Sequence, residues 1–279
     1  MERKVKTKVK GFKTTDGAGV KLVRVLGNQT TKEFDPILML DSFDSVNPDD
    51  YTAGFPMHPH RGIETISYVS RGKMVHRDSL DNEDGISDGE VQWMNSGSGI
   101  MHEEMVPAAE RLLGVQLWLN LPSKDKMSKP SYNSIKNEEI QEIKTEGGKI
   151  RLLAGKYEEH QGYKGSYLPL DYYDIHLNKS AEITLHMEND DSVMIFTLLG
   201  SVYVNGELIE EKTAVKLTEG DSLTIKNGKK DAQILYMSSK ALNEPVAWAG
   251  PIVMNTQEEV REAYEDLRNN TFIKDKVEY

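Results

Sequence analysis

The chain has 279 residues, of which 38% are hydrophobic, and a formal net charge of −11. This negative charge disfavours direct binding to a phosphate backbone, and the absence of cysteine excludes disulfides and thiolate catalysis. No apolar run approaches the roughly twenty residues of a membrane helix, and the first residues lack the apolar stretch of a signal peptide. We therefore expect a soluble, cytoplasmic protein that binds neither nucleic acid nor membrane.

The first predicted element is an edge strand near the amino terminus. Its lysines alternate with Val5, Thr7 and Val9, so the lysines share one face, which we expect to be exposed to solvent. Further short apolar runs, such as TISYV, VQLWLNL and VMIFTLLG, are separated by Gly, Asn and Asp. This pattern is typical of many short strands, and it predicts a mostly β fold.

The segment HPHRGIETISYVSRG at 58–72 carries the first candidate ligands. Successive side chains of a strand point to opposite faces, so His58 and His60 share one face while Pro59 stiffens the backbone. By the same alternation we expect Glu64 to face inward. It could then be a metal ligand, a residue that orients a ligand, a general base, or a buried carboxylate paired with Arg61 or Arg71.

A second motif, GIMHEEM at 99–105, adds His102 and Glu104 on one face and directs Glu103 to the other. A lone histidine is more often satisfied by a backbone carbonyl, but two paired motifs favour a metal site. Three imidazole nitrogens and one carboxylate suit Fe, Zn, Ni, Cu or Mn and leave room for water, oxygen or a chelating substrate. His76, which has no second ligand beside it, is expected near the pocket but not on the metal.

The later chain repeats this plan without the metal ligands. A polar connector precedes the repeat, so we expect domains at 1–133 and 149–250, a linker at 134–148, and a terminal segment at 251–279. His186 precedes Gly200 by the fourteen positions that separate His58 from Gly72, but Glu188 stands where His60 stood. The matching later stretch has no histidine, which predicts a second barrel without a metal.

The terminal segment contains a predicted helix. Thr256 and Glu259 form a capping box, and Asn269 and Asn270 are candidate terminators. One face of the helix is apolar and is expected to pack on a barrel, through Val260, Ala263, Tyr264 and Leu267.

Several motifs resemble the pirins, a branch of the cupin superfamily. These are GFPMHPHRGIETISYVSRG, DGEVQWMNSGSGIMHEEM, GVQLWLNLP, PLDYYDIHL and EPVAWAGPIVMNTQEEV, and the resemblance extends over residues 10–272. It implies two cupin-type (jelly-roll) β-barrels in tandem, followed by a C-terminal helix.

The resemblance also implies a ligand set. Pirins coordinate iron through HxH and HxE, which correspond here to His58, His60, His102 and Glu104. Other cupins take the carboxylate from the position of Glu64, so that alternative stays open while Glu104 is favoured. The implied cofactor is one divalent metal ion, Fe(II), with Zn, Ni, Cu or Mn as alternatives. We expect Gln116, in GVQLWLNLP, to line the pocket.

Three functions are compatible with this resemblance. Pirins have quercetin 2,3-dioxygenase activity, which opens a flavonol ring and releases carbon monoxide. The first expectation is therefore a dioxygenase that acts with O2 on quercetin-like flavonols or another chelating enol, with Glu104 or Glu64 taking the substrate proton. The second is an iron-dependent, redox-sensing partner of transcription regulators. The third is a metal-dependent isomerase or a structural cupin.

Overall fold

A computed structural model of the chain, which describes residues 1–275, contains two compact units. The first unit comprises Lys13–Thr31, Ile37–Lys136 and the described residues from Leu242 to Asp275, and the second comprises Met1–Phe12, Lys32–Pro36 and Asn137–Ala241. Relative to the expected boundaries, the amino-terminal strand is counted with the second unit, and the terminal segment is counted with the first.

Strands dominate both units. In chain order they are β1 (Val5–Lys10), β2 (Phe12–Asp16), β3 (Val20–Leu26), β4 (Ile37–Ser45), β5 (Phe55–His60), β6 (Ile63–Arg71), β7 (Met74–Asp78), β8 (Glu83–Ile86), β9 (Glu90–Asn95), β10 (Ile100–Met105), β11 (Leu112–Asn120), β12 (Ser131–Ile135), β13 (Gln141–Thr145), β14 (Gly148–Ala154), β15 (Lys156–Tyr157), β16 (His160–Gln161), β17 (Leu170–Leu177), β18 (Glu182–His186), β19 (Ser192–Leu199), β20 (Val202–Val204), β21 (Glu207–Ile209), β22 (Thr213–Leu217), β23 (Ser222–Asn227), β24 (Ala232–Ser239), β25 (Ala247–Ala249) and β26 (Ile252–Met254). The helices are α1 (Thr31–Phe34) and α2 (Gln257–Arg268), with short 3₁₀ turns at Asn28–Thr30, Pro48–Asp50 and Ser123–Asp125. Within the described residues, neither α-helix is long and apolar enough to cross a membrane.

The first unit is built from two antiparallel sheets. One has seven strands in the order β12-β9-β6-β11-β4-β3-β2, and the other has four in the order β5-β10-β7-β8. Phe43 and Val69 of the larger sheet share a buried core with Met74 and Ile86 of the smaller one. The two sheets therefore pack face to face, as in a jelly-roll barrel.

The second unit repeats this arrangement. Its seven-stranded sheet has the order β1-β22-β19-β24-β17-β14-β13, and its four-stranded sheet has the order β18-β23-β20-β21. Ile150 and Ile234 of the larger sheet pack with Leu185 and Ile225 of the smaller one in a single core. The expected mostly β fold with two tandem barrels is confirmed.

Two terminal elements also agree with the sequence. Strand β1 lies at the edge of the second unit's larger sheet, and its lysines alternate outward, with Lys8 and Lys10 forming ion pairs with Glu207 and Glu210. In helix α2 the Thr256 and Glu259 capping box is present, and its buried face meets the hairpin of β25 and β26.

The expected inward orientation of Glu64 is wrong. Strand β6 pairs regularly with β9 from Glu64 onward, so Glu64 and Ser67 point to opposite faces. Ser67 contacts Glu104, whereas one oxygen of Glu64 accepts a hydrogen bond from Trp93 Nε1 (2.9 Å). Neither Arg61 nor Arg71 pairs with this carboxylate in the described residues.

The expected alternation of side chains is interrupted at a turn between β5 and β6. Gly62 there has φ +82°, and a Cβ at this position would collide with the carbonyl oxygen of Val253. The left-handed turn breaks the alternation counted from His60, because that count is valid only along one continuous strand.

The buried Glu64 predicts a pH-dependent cost in stability. Burial raises the pKa of Glu64 from 4.5 to about 7, and the hydrogen bond from Trp93 only partly opposes this. The folded chain therefore retains a proton that the unfolded chain releases, so stability contributed by this group falls as pH rises from 4.5 to about 7. We expect Glu64→Gln to remove a penalty of roughly 3 kcal/mol at pH 8 and much less at pH 5.

Thermal and urea unfolding of both proteins at pH 5 and pH 8 measure this difference. A stability difference that stays constant across this range would contradict a raised pKa for Glu64.

Candidate metal centre

The histidines of the two motifs meet across one pair of strands. Strands β5 and β10 pair antiparallel, with His58 opposite His102 and His60 opposite Ile100. Because β5 is an edge strand, Pro59 can lie within it although proline offers no amide hydrogen to the ladder. The register thus brings the three imidazoles to one face of the smaller sheet.

These imidazoles form a compact donor cluster. One ring nitrogen from each of His58, His60 and His102 lies within 4.8 Å of the others, and Nε2 of His58 is 3.1 Å from Nε2 of His60. Nε2 of His102 is buried and has no hydrogen-bond partner in the described residues. A buried polar nitrogen without a partner is costly, and a cation among the three rings would satisfy it. The cluster could therefore hold a metal ion.

Backbone carbonyls orient two of the rings. Nδ1 of His58 lies 2.8 Å from the carbonyl oxygen of Pro56, and Nδ1 of His60 lies 3.0 Å from that of Pro251. A carbonyl only accepts, so each Nδ1 carries the hydrogen and donates it. The lone pair is then left on Nε2, which is the nitrogen that faces the cluster.

His76 orients the third ring, which is that of His102. Nε2 of His76 lies 2.8 Å from Oδ2 of Asp78, and Nδ1 of His76 lies 3.3 Å from Nδ1 of His102. Burial would raise the pKa of Asp78, but hydrogen bonds from His76 and Asn82 outweigh it and lower that pKa, so the carboxylate is ionised and accepts from His76. Nε2 of His76 faces Asp78, so Nδ1 of His76 is the nitrogen that meets His102; with Nδ1 of His102 as the donor in this contact, the lone pair of His102 lies on Nε2.

Burial also keeps the metal-facing ring nitrogens of His60 and His102 free of protons. Desolvation, with a smaller contribution from His58, lowers the pKa of His60 to about 3. Desolvation likewise lowers the pKa of His102 well below its usual range. Neutral imidazole is the form that binds metals, so these two residues are ready to coordinate at neutral pH.

Glu104 is buried beside this cluster but is not one of its members. Gln116 Nε2 donates to both carboxylate oxygens of Glu104 (3.0 and 2.9 Å), and Gln92 Nε2 donates to Oε1. Glu104 shares a face with His102, as the alternation predicts, and its assignment as fourth ligand stays a prediction. Gln116 also lines the adjoining cavity.

A cavity of about 550 Å³ opens beside the cluster. His58, His60 and Gln116 line one part of it, and Trp118 and Trp248 supply aromatic walls whose rings are 5.4 Å apart. The remaining polar groups of the lining are Asp16, Arg24 and Asp41. The arrangement suits a planar, partly apolar molecule with one end at the imidazoles.

The terminal segment completes the site, which the sequence did not indicate. Pro251 of this segment contacts His60, and Trp248 just before the segment lines the cavity. The segment also anchors Arg61, the residue after His60. The Arg61 guanidinium donates to Asp266 (2.9 Å) and to the carbonyl of Phe272 (3.1 Å), and it lies over the Phe272 ring. This partly buried ion pair holds the segment against the end of strand β5.

The second unit contains a different cavity, of about 400 Å³. His186 and Glu188 line it together with Asp171, Asp191 and Tyr173. Among residues 1–275, the only group of three or more potential metal-binding side chains with converging donor atoms is the cluster in the first unit.

Comparisons with known proteins agree with this geometry. The family model for pirin matches residues 19–119, and the model for the pirin C-terminal cupin domain matches residues 172–273. A Pseudomonas aeruginosa protein named "Putative quercetin 2,3-dioxygenase PA3240" is 39% identical over 93% of this chain and 94% of its own length. Human pirin is 35% identical over 96% of this chain and 93% of its own length.

A solved structure is similar over nearly the whole chain. The crystal structure of quercetin 2,3-dioxygenase from Acinetobacter baumannii superposes with a TM-score of 0.89 at 31% identity, covering 98% of this chain and 99% of that one. The chain therefore belongs to the pirin family and consists of two tandem cupin domains with a C-terminal helix.

Proposed function

We propose that the chain is a mononuclear metal-dependent dioxygenase that uses Fe(II) and O2 on quercetin-like flavonols or another chelating enol. The observation that carries the proposal is the convergence of one ring nitrogen from each of three imidazoles at one end of an aromatic-walled cavity, with Nε2 of His102 buried and without a partner in the described residues. The names of the similar proteins support the choice of substrate class.

His58, His60 and His102 would hold the metal, with Glu104 as the fourth ligand. A divalent ion bound there supplies Lewis acidity that lowers the pKa of an enol hydroxyl, and it supplies redox capacity toward O2. The three rings need no reorientation for this role, because carbonyls and His76 already fix their hydrogens on Nδ1.

Glu104 is the proposed acceptor of the substrate proton. Its carboxylate lies at the end of a buried polar chain, and Gln92 and Gln116 limit its rotation. Glu64 is not assigned this role, because its side chain lies on the opposite face of β6 from the residues that contact Glu104.

The cavity walls would place the substrate and exclude water. Trp118 packs its ring edge-on against His60, with ring centroids 5.0 Å apart, and Trp248 lies beside it. Flat aromatic faces beside the donor cluster can hold a planar ring system with its chelating edge toward the imidazoles.

Oxygen consumption tests this function directly. Protein loaded anaerobically with Fe(II) should consume O2 when quercetin is added, and Glu104→Gln should lower the rate at least about a hundredfold, because it removes both the fourth ligand and the proton acceptor. Glu103→Gln is the matched control, since Glu103 points away from the site and pairs with Arg77. Failure of the loaded wild type to consume O2 with any flavonol or enediol would reject the proposal.

The series of hydrogen bonds from Asp78 through His76 to His102 predicts that a change at Asp78 alters metal affinity. Asp78→Asn would let the side-chain amide donate to His76 and reverse the hydrogen positions along this series of hydrogen bonds. We expect metal affinity to fall about 10- to 100-fold, measured by competition with a chromophoric chelator.

Asp174→Asn is the control for this measurement. Asp174 in the second unit accepts from His176 at 2.8 Å in the same two-residue spacing, but it lies outside the cluster. Equal metal affinities of the Asp78→Asn variant and the wild type would contradict the orienting role.

A further inference from the structure

A row of polar side chains leads along the larger sheet of the first unit, from Glu104 to the far part of the cavity. In register across neighbouring strands, Ser67 of β6 lies beside Gln116 of β11, Gln116 beside Asp41 of β4, and Asp41 beside Arg24 of β3. Adjacent strands are about 4.8 Å apart, so Arg24 lies roughly 10 Å from Gln116. This distance is comparable with the length of a molecule of two or three aromatic rings.

The Arg24 guanidinium is held by two carboxylates, but not all of its nitrogens donate a hydrogen bond within residues 1–275. Its Nε and Nη2 donate to the two oxygens of Asp41 (2.9 and 2.7 Å), and Nη2 also donates to Asp16 (2.6 Å). Asp41 is 4% exposed, which makes this two-point pair well ordered, whereas Arg24 is 29% exposed and lines the cavity. Its Nη1 makes no hydrogen bond within residues 1–275.

Asp16 is fixed at the same place by the hairpin of β2 and β3. Its Oδ1 accepts from the backbone amide of Gly17 (2.7 Å), and the next amide, of Ala18, donates to the carbonyl of Gly54. Gly17 has φ +58°, and a Cβ there would lie 2.6 Å from that carbonyl oxygen. Glycine thus lets the hairpin approach the cavity wall closely, with the Asp16 carboxylate beside Arg24.

We propose that Arg24, with Asp16 and Asp41, forms a specificity subsite for hydroxyl groups on the part of the substrate remote from the metal. A free guanidinium hydrogen can donate to a hydroxyl oxygen, and a neighbouring carboxylate can accept the hydroxyl hydrogen. Two carboxylates around one guanidinium disfavour an anionic substituent, so a phenol or catechol should bind better here than a carboxylate. This inference rests on the proposed function for the substrate class, but it concerns recognition and not turnover.

Anaerobic calorimetric titration tests this subsite without turnover. The probes are quercetin, 3-hydroxyflavone, which keeps the chelating hydroxyl and lacks the others, and a 3-hydroxyflavone with a carboxylate on its phenyl ring. We expect the wild type to bind quercetin about tenfold more tightly than 3-hydroxyflavone, and to bind the carboxylate derivative no more tightly than 3-hydroxyflavone. The same ratios should hold in metal-free protein, since the subsite contains no metal ligand.

Three variants assign the preference to these residues. Arg24→Gln should bring the affinity ratio between quercetin and 3-hydroxyflavone close to one, with the affinity for 3-hydroxyflavone unchanged. Asp16→Asn, at a half-exposed position that tolerates substitution, should lower the ratio if the first variant fails to fold. Arg111→Gln is the matched control, because Arg111 forms a similar pair with Asp44 outside this cavity and should keep the full ratio.

The outcomes separate the subsite from the proposed function. Equal binding of both flavonols to the wild type, an unchanged ratio in a folded Arg24→Gln variant, or tighter binding of the carboxylate derivative would overturn the subsite while leaving the dioxygenase proposal intact. If neither flavonol binds the wild type, both are rejected. Discrimination between the flavonols without O2 consumption would retain the subsite and reject the oxygenase.

Discussion

The antiparallel register of β5 and β10 is the constraint on which the site depends. It places His58 directly opposite His102, and the pleat then brings His60 to the same face. A slip of one residue would turn an entire motif to the other face and disperse the cluster. Neighbouring interactions therefore matter mainly because they hold this pair of strands in register and hold the rings in one orientation.

The terminal segment is part of that support. Val253 donates its backbone amide to the carbonyl of Arg61 (3.1 Å), immediately after the HxH motif. The buried Nζ of Lys126 donates to the carbonyls of Gly62 (2.8 Å) and Val253 (3.0 Å). It thereby links the turn between β5 and β6 to strand β26. With Pro251 on His60, these contacts make the end of the chain a structural component of the centre. Packing of the terminal helix thus has a consequence for the site, although the helix itself supplies no ligand to the cluster.

Alternation within a single strand and the meeting of the two histidine motifs could be predicted from the sequence, whereas the other contacts between distant segments could not. Alternation correctly grouped His58 with His60, and His102 with Glu104, because each pair lies in one continuous strand. The same reasoning failed for Glu64, because a left-handed glycine separates it from the HxH strand.

Other parts of the site had no local signal. The contact from Pro251 to His60 spans 191 positions, and the polar row that ends at Arg24 exists only through strand pairing. The edge strand at the amino terminus was predictable from its alternating lysines, but its pairing with β22 in the second unit was not. The fold and the three histidines thus follow from sequence motifs. The cavity lining remote from the histidines depends on tertiary contacts and could not be predicted from the sequence.

Metal content is the most direct test of a centre built on these three imidazoles. Elemental analysis should be made on protein purified without added metal and after anaerobic reconstitution with Fe(II), for the wild type and the His58→Ala, His102→Ala and His186→Ala variants. His186 occupies the corresponding position of the second unit and serves as the control. We expect about one ion per chain in the wild type and in His186→Ala, with loss in the other two variants. Equal metal content in all four proteins, or no metal in the reconstituted wild type, would contradict the centre.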